Sequence, residues 1–187
     1  MEHPIILLTG RSAVGKSTLS PALARELEAR TVNASEMMRE RARLEGYAHL
    51  ADFFKHTGVK PAFENLRPHV LREIKKHAEN GPVVVEGVYD SGLYELLKSS
   101  FPADRLLIVN VTANRSFRQA MHAHRKQLTR KDSKANLRKR NQVKVQAGLP
   151  EIIAGARLSV RNAGNFDALL TETVRKIREH FQQEQTP

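Results

Sequence analysis

The chain has 187 residues, a formal net charge of +11 and no cysteine. A chain of this length forms one domain with a sizeable core, and the lack of cysteine excludes disulfides, thiolate metal sites and cysteine nucleophiles. The sequence begins MEHPIILL, without a basic leader, and no apolar run approaches the length of a membrane span. We therefore expect a cytoplasmic protein without a membrane anchor.

The first predicted elements are a strand, a glycine-rich loop and a helix. PIILLTG has the length and composition of a buried strand, and KSTLSPALARELEAR carries leucines at four-residue spacing. Between them lies a G-x-x-x-x-G-K-S motif with Lys16 and Ser17 at its end. In such loops the backbone amides cradle phosphates, the lysine reaches the β- and γ-phosphates and the hydroxyl binds Mg²⁺. The motif predicts ATP and Mg²⁺ as cofactors, with Lys16 also catalytic. The predicted nucleotide-binding residues are Gly10, Arg11, Ser12, Ala13, Val14, Gly15, Lys16, Ser17 and Thr18.

The rest of the chain alternates between predicted strands and helices. RTVNAS is predicted to be a strand that ends at a helix N-cap, Ser35, and residues 51–80 are predicted to be helical with a break near HTGVKP. PVVVEG, RLLIVNV and ARLSVRN are further predicted strands, and a helix closes the chain. These strands are too apolar for either face of the sheet to be exposed to solvent. The fold class is therefore predicted to be α/β, with a parallel sheet covered on both sides and ligands at the carboxyl ends of its strands.

One acidic residue, Glu86, ends the predicted strand VVVEG. Phosphate-binding loops commonly work with a carboxylate at the end of a neighbouring strand, which helps to hold Mg²⁺. Ser17 and Glu86 are therefore the predicted metal ligands. A solvent-facing strand end is the alternative interpretation of Glu86.

The order of these motifs resembles that of the small P-loop kinases of the adenylate kinase-like and dephospho-CoA kinase-like group, which includes the nucleoside monophosphate kinases. GRSAVGKST carries the resemblance most specifically, and NASEMMRERARLEGY, VVVEGVYDSG, RLLIVNVTANRSFRQAMHAHR and EIIAGARLSVRNAGNFDALLTETVRKI follow in the same order. The resemblance implies one P-loop kinase domain with a five-stranded core (1–34, 81–114 and 151–187). It also implies an acceptor-binding helical insertion at about 35–80 and a basic lid at about 115–150.

The same resemblance assigns roles to residues outside the glycine-rich loop. The residues that it implies for acceptor binding are Glu36, Arg39, Glu86 and Gly87. The end of the fifth strand resembles the loop that packs against the nucleotide base, and its implied contact residues are Asn162 and Gly164.

The chain departs from both subfamilies at the acceptor site. Tyr89 and Asp90 stand where monophosphate kinases usually place an arginine, and Ser35 stands where dephospho-CoA kinase has an aspartate four places before the arginine. A hydroxyl acceptor benefits from a carboxylate base, roughly 10²–10⁴-fold, and Glu36 and Asp90 are the candidates. The alternatives are that Glu36 only favours the helix dipole and that Asp90 only caps a helix.

The positive charge is concentrated between residues 111 and 150, which contain eleven basic residues and one acidic residue. Three interpretations stay open: a solvated basic face, a nucleic-acid footprint, and a lid that closes over polyphosphate. Phe117 is the one aromatic residue in this segment, which disfavours base stacking. Arginines that flank the polar, helix-poor stretch LTRKDSKANL would stabilise the transferring group. The candidates are Arg125, Arg130 and Arg138 or Arg140.

The sequence thus predicts an ATP- and Mg²⁺-dependent kinase that transfers the γ-phosphate to a nucleotide or a nucleotide-like small molecule. One alternative is a hydroxyl kinase acting on dephospho-CoA, a sugar or the 5′ end of a polynucleotide. A second alternative is a nucleic-acid-stimulated ATPase or binding module. The oligomeric state stays open.

Overall fold

The computed structural model describes residues 3–127 and 129–183, apart from the side chains of Arg125, Lys126 and Arg130. Strands and helices alternate over most of this part of the chain. In chain order the elements are β1 (Ile5–Thr9), α1 (Lys16–Glu26), β2 (Arg30–Asn33), α2 (Ala34–Leu44), α3 (Leu50–Thr57), α4 (Val59–Ala78), β3 (Val83–Glu86), α5 (Ser91–Ser100), β4 (Leu106–Ala113), α6 (Arg115–Lys126), α7 (Arg130–Ala147), α8 (Leu149–Ala154), β5 (Leu158–Asn162) and α9 (Phe166–Gln183).

The strands form one five-stranded sheet in the order β2-β3-β1-β4-β5, and every pairing is parallel. The predicted fold class is confirmed: the sheet is sandwiched by helices, as in P-loop NTPases. β1 lies between β3 and β4, so the chain leaves β1 in one direction and returns on its other side. This reversal opens a crevice at the carboxyl ends of the strands, where open α/β sheets bind ligands.

Both faces of the sheet are buried, which explains why its strands are apolar without alternation. Ile5 and Leu7 pack in one hydrophobic cluster with residues of α2, α3, α4, α5 and α8. Ile6 and Leu8 point to the opposite face, where they pack with residues of α1 and α9. Successive side chains of a strand point to opposite faces, so each of residues 5–8 packs in the hydrophobic cluster on one face of the sheet or the other.

Two local predictions need correction. The N-cap of α2 is Asn33, not Ser35: its side-chain oxygen accepts a hydrogen bond from the Glu36 amide at 3.0 Å, which places the helix start at Ala34. The polar stretch that was predicted to be poor in helix belongs mostly to α7. Thr129 caps that helix by accepting from the Asp132 amide at 3.1 Å, so a capping signal outweighs the polar composition.

The helices cover the sheet with one apolar face each. The 20-residue α4, for example, buries Ala62, Val70 and Ile74 and carries charged side chains elsewhere. None of the helices within the described ranges combines the length and the apolar character needed to cross a membrane.

Candidate active site

The glycine-rich loop connects β1 to α1 at the carboxyl edge of the sheet, as predicted. Gly15, the N-cap of α1, has a φ of +101°, which L side chains rarely adopt. A Cβ atom at this position would also lie 2.6 Å from Asn162 Nδ2. Both the backbone conformation and the close approach of Asn162 therefore require glycine here.

Lys16 follows directly and folds back over the loop. Its ammonium donates hydrogen bonds to the carbonyl oxygens of Gly10, at 2.7 Å, and Arg11, at 3.0 Å. Burial, and then the nearby Lys144 ammonium, lower the pKa of Lys16 well below its ordinary value. A phosphate group at the loop would relieve both effects, because it brings a negative charge to the ammonium.

Glu86 ends β3 as predicted, beside β1, where Leu8 and Glu86 are in register. Its carboxylate is buried and accepts a hydrogen bond of 2.7 Å from Asn33 Nδ2. Because Asn33 also caps α2, one side chain links the carboxylate to the start of that helix. The alternative of a solvent-facing strand end is thereby excluded.

The donor set fits a magnesium ion. Ser17 and Glu86 line the same cavity, and Mg²⁺ is usually bound by one or two protein oxygens together with water and substrate phosphates. Among the described residues there is no cluster of three or more acidic or histidine side chains that could hold a metal by itself. A metal here would therefore depend on the nucleotide for part of its ligands.

Three of the four residues predicted to bind the acceptor line this cavity. Arg39 and Gly87 line the cavity, as does Ser35. The Ser35 hydroxyl donates to the Gly87 carbonyl oxygen at 3.4 Å. Glu36 does not line the cavity: it pairs with Arg39, and its second oxygen lies 3.2 Å from Arg43. The hydrogen bond from Arg39 lowers the pKa of Glu36, and this half-exposed carboxylate is held by two arginines.

Asp90 is not among the residues lining the cavity. Its side chain accepts from the Leu93 amide at 2.9 Å and so caps α5, which is the alternative that the sequence left open. Arg67 binds the same carboxylate at 2.6 and 2.9 Å. Both oxygens are therefore engaged in the structure, and the geometry gives no support to Asp90 as a catalytic base.

Helix α7 crosses the mouth of the phosphate-binding loop. The Ser12 amide donates to Asn141 Oδ1 at 2.9 Å, and the neighbouring Arg140 lines the cavity. One turn further along, Lys144 also lines the cavity, with its ammonium 4.8 Å from the ring centroid of the buried Tyr89. Burial, followed by the charge of Arg140, lowers the pKa of Lys144 to about 8.

Lys144 and Asn141 were missed as site residues by the sequence analysis. The available signal was helical spacing, since residues 140, 141 and 144 share one face of a helix. Of the predicted arginines, Arg138 is exposed and is not among the residues lining the cavity. The side chains of Arg125 and Arg130 lie outside the described part of the structure.

Asn162 and Gly164, which are predicted to contact the nucleotide base, lie next to Val14 of the phosphate-binding loop. Asn162, the last residue of β5, donates to the Val14 carbonyl oxygen at 3.0 Å and accepts from the Gly164 amide at 3.0 Å. This amide side chain ties the β5–α9 connection to the phosphate-binding loop. The arrangement places Asn162 and Gly164 beside the loop.

The comparisons with known proteins agree with this geometry. A family model described as an AAA domain matches residues 6–146, and the chain belongs to that family. Similar solved structures include shikimate kinase from Acinetobacter baumannii in complex with shikimate, which is 16% identical with a TM-score of 0.63 over 99% of this chain and 96% of that one. A gluconokinase from Sinorhizobium meliloti is 16% identical, with a TM-score of 0.61 over 96% and 94% of the two chains. Shikimate kinase from Bacteroides thetaiotaomicron is 16% identical, with a TM-score of 0.65 over 96% and 98%. A comparison with curated protein sequences finds no match.

These likenesses establish the fold, which is that of the small P-loop kinases. The predicted resemblance is confirmed at this level. The narrower resemblance to adenylate kinase-like and dephospho-CoA kinase-like enzymes stays a prediction, since the similar structures named above are shikimate kinases and a gluconokinase.

Proposed function

We propose that the protein is an ATP- and Mg²⁺-dependent kinase that transfers the γ-phosphate of ATP to a small-molecule acceptor. The observation that carries this proposal is the shared cavity of Lys16, Glu86 and the basic residues of α7. A phosphate-binding loop with a carboxylate on the adjacent strand suits nucleotide and metal binding. The basic helix over its mouth suits the stabilisation of a transferring phosphoryl group.

In this proposal the loop amides of residues 10–18 and the Lys16 ammonium bind the donor phosphates. Ser17 and Glu86 hold Mg²⁺, which neutralises phosphate charge when it is bound. Asn162 and Gly164, which lie beside the loop, pack against the nucleotide base. The core is formed by 1–34, 81–114 and 151–187.

The remaining segments supply the acceptor side. Residues 35–80 form the acceptor-binding insertion, with Arg39 and Gly87 facing the acceptor, and residues 115–150 form the lid. Arg140 enters the cavity from the lid and stabilises the charge that develops on the phosphoryl group. Closing α7 over the loop excludes water, which would otherwise compete as the acceptor.

The acceptor is a nucleotide or a nucleotide-like molecule if the resemblance to monophosphate kinases extends to substrate. The likeness to shikimate kinase and gluconokinase favours a second candidate, a small hydroxy acid. The absence of an arginine from VYDSG after β3 supports this second candidate. Both candidates belong to the same reaction class.

The test is ADP formation from Mg²⁺-ATP with a panel of acceptors: the nucleoside monophosphates, dephospho-CoA, shikimate, gluconate, simple sugars and a 5′-hydroxyl oligonucleotide. Lys16→Ala should lower acceptor-dependent turnover roughly 10²–10³-fold or more, whereas Lys139→Ala, an exposed change on α7, should leave it unchanged. ADP formation that responds only to nucleic acid would refute a small-molecule acceptor. If no phosphate is then found on the 5′ end of the oligonucleotide, the result favours the nucleic-acid-stimulated ATPase or binding module.

A further inference from the structure

More basic than acidic side chains line the cavity. Among the described residues, four basic side chains face a single carboxylate there, that of Glu86. The basic residues are Lys16, Arg39, Arg140 and Lys144. Glu36 compensates Arg39 from outside the cavity. The cavity therefore keeps an excess of positive charge, which anionic ligands would neutralise.

The two lysines contribute to this excess from different elements, Lys16 from α1 and Lys144 from α7. Lys16 is held at the phosphate-binding loop by the Gly10 and Arg11 carbonyl groups. Lys144 lies over the ring of Tyr89, and its ammonium is close enough to Lys16 to lower the pKa of that residue. Tyr89 follows Gly87 by two residues, and the Gly87 carbonyl oxygen accepts a hydrogen bond from Ser35 at the start of α2. Lys144 therefore lies near residues that we assign to the acceptor.

The position of Lys144 is fixed by its helix. Asn141 anchors α7 to the loop through the Ser12 amide, and its own amide group donates to the Leu137 carbonyl oxygen at 2.8 Å, which sets its orientation. Lys144 follows one turn later on the same face. The lysine thus enters the cavity from a rigid element rather than from a loose surface segment.

The ammonium of Lys144 forms no salt bridge with any acidic residue that the structure describes, although the Glu86 carboxylate faces it. No carboxylate in the described part of the chain lies within salt-bridge distance of it. The groups that face it are Glu86 from β3, Arg140 from its own helix, Lys16 from α1 and the Tyr89 ring. Burying a cation without an ionic partner is costly, and a bound anion would remove that cost.

We propose that Lys144 binds an anionic group of the acceptor, a carboxylate or a phosphate ester, and selects anionic over neutral acceptors. This inference rests on the proposed function, because it treats this side of the cavity as the acceptor site. A nucleotide phosphate and the carboxylate of a hydroxy acid offer the same recognition chemistry. Lys144 holds either of them as a point charge beside Glu86.

The direct test uses protein saturated with Mg²⁺ and a non-hydrolysable ATP analogue, so that the loop is already occupied. Inorganic phosphate, gluconate and glucose are then titrated by calorimetry into the parent protein, Lys144→Met and Lys139→Met. We expect both anions, but not glucose, to bind, and Lys144→Met to weaken anion binding roughly 10-fold or more, as expected for a lost charge-assisted hydrogen bond. Lys139→Met is the matched control from an exposed position and should bind like the parent.

Three outcomes separate the two proposals. Unchanged anion binding in Lys144→Met, or equal binding of glucose and gluconate, overturns the role of Lys144. Loss of analogue binding in Lys144→Met would also overturn it, because the lysine would then serve the donor. If the parent protein binds the analogue only as weakly as Lys16→Ala, the proposed function itself fails. Turnover rates are then compared between AMP and adenosine, which differ by a phosphate, and between shikimate and its methyl ester, which differ by a carboxylate. The pair with the larger difference identifies the anionic group that the acceptor carries.

Discussion

Asn141 of α7 and Ser12 of the phosphate-binding loop are joined by a hydrogen bond of 2.9 Å across 129 positions of sequence. The donor is the Ser12 backbone amide, so the bond does not depend on the serine side chain. It holds α7 against the phosphate-binding loop at the position of Asn141. The same bond therefore determines where Arg140 and Lys144 enter the cavity.

Replacing Asn141 with alanine should impair transfer more than nucleotide binding. The loss of one hydrogen bond, worth about 0.5–1.5 kcal/mol, is expected to lower kcat for the preferred acceptor about threefold to tenfold. ADP affinity should change less than about twofold, because Lys16 and the loop stay in place. Gln142→Ala, an exposed neighbour on α7, is the control. Weaker ADP binding with unchanged kcat would instead assign the bond to donor binding.

Gly87 is expected to tolerate no side chain. Its φ is +81°, and a Cβ atom would lie 2.6 Å from the Ser35 backbone nitrogen. We expect Gly87→Ala to lower the free energy of unfolding by more than about 1 kcal/mol, measured by urea denaturation. Gly81→Ala is the matched control, because a Cβ there has no atom within 4 Å and its φ is not positive. Similar unfolding curves for the two variants would refute this prediction.

Asp90→Asn separates the structural role of this residue from a catalytic one. Asparagine can still cap α5, but it loses the charge that pairs with Arg67 at 2.6 Å. We expect a loss of about 1–3 kcal/mol in the free energy of unfolding with kcat within about fivefold of the parent. A folded variant whose kcat falls by about 10² or more would restore the hypothesis that Asp90 is a base.

Asn33 should control the metal side of the site through Glu86. Asn33→Asp keeps a capping oxygen for α2 but replaces the amide that donates to Glu86 at 2.7 Å with a second carboxylate. Like charges at this distance repel, so the variant should have a lower melting temperature than the parent at neutral pH. Addition of Mg²⁺ should raise the melting temperature of the variant more than that of the parent. An equal response of both proteins to Mg²⁺ would argue against a metal at Glu86.

The sequence predicts those parts of the site that depend on short local patterns. The glycine-rich loop between a strand and a helix, and Glu86 at the end of VVVEG, need only a short window. The parallel sheet follows from apolar strands that alternate with helices. The loop and the position of Glu86 at its strand end are as predicted because residues a few positions away determine them. The parallel sheet is confirmed although it pairs strands that are distant in sequence.

The basic segment could not be resolved in this way, because helical rotation decides which of its residues enter the cavity. Arg138 precedes Arg140 by two residues, which places it on the opposite side of α7, whereas Lys144 follows Arg140 by one turn. Choosing between them requires the face that packs on the loop. That face is set by the bond between Asn141 and Ser12, a tertiary contact with no local signature.

Within a defined pH range, Lys144 should make the unliganded protein less stable than a variant with an uncharged side chain at this position. Its folded pKa of about 8 lies below the ordinary 10.5, so between these values the unfolded chain binds the proton more tightly. The penalty is therefore complete below pH 8, decreases as the pH rises, and is absent above 10.5. Allowing for partial exposure, it is on the order of 2 kcal/mol at neutral pH.

Lys144→Met should accordingly raise the free energy of unfolding at pH 7, and its advantage over the parent should shrink as the pH approaches 10. Denaturant unfolding of both proteins across this range measures the difference. Lys16 contributes to it as well, because the variant lacks one of the charges that lower the pKa of Lys16. The lost cation–π contact with the Tyr89 ring, about 0.5–1 kcal/mol, acts in the opposite direction and also requires the protonated ammonium. A variant that is less stable than the parent at pH 7, where Lys144 is protonated, would mean that this contact outweighs the penalty of burying the charge.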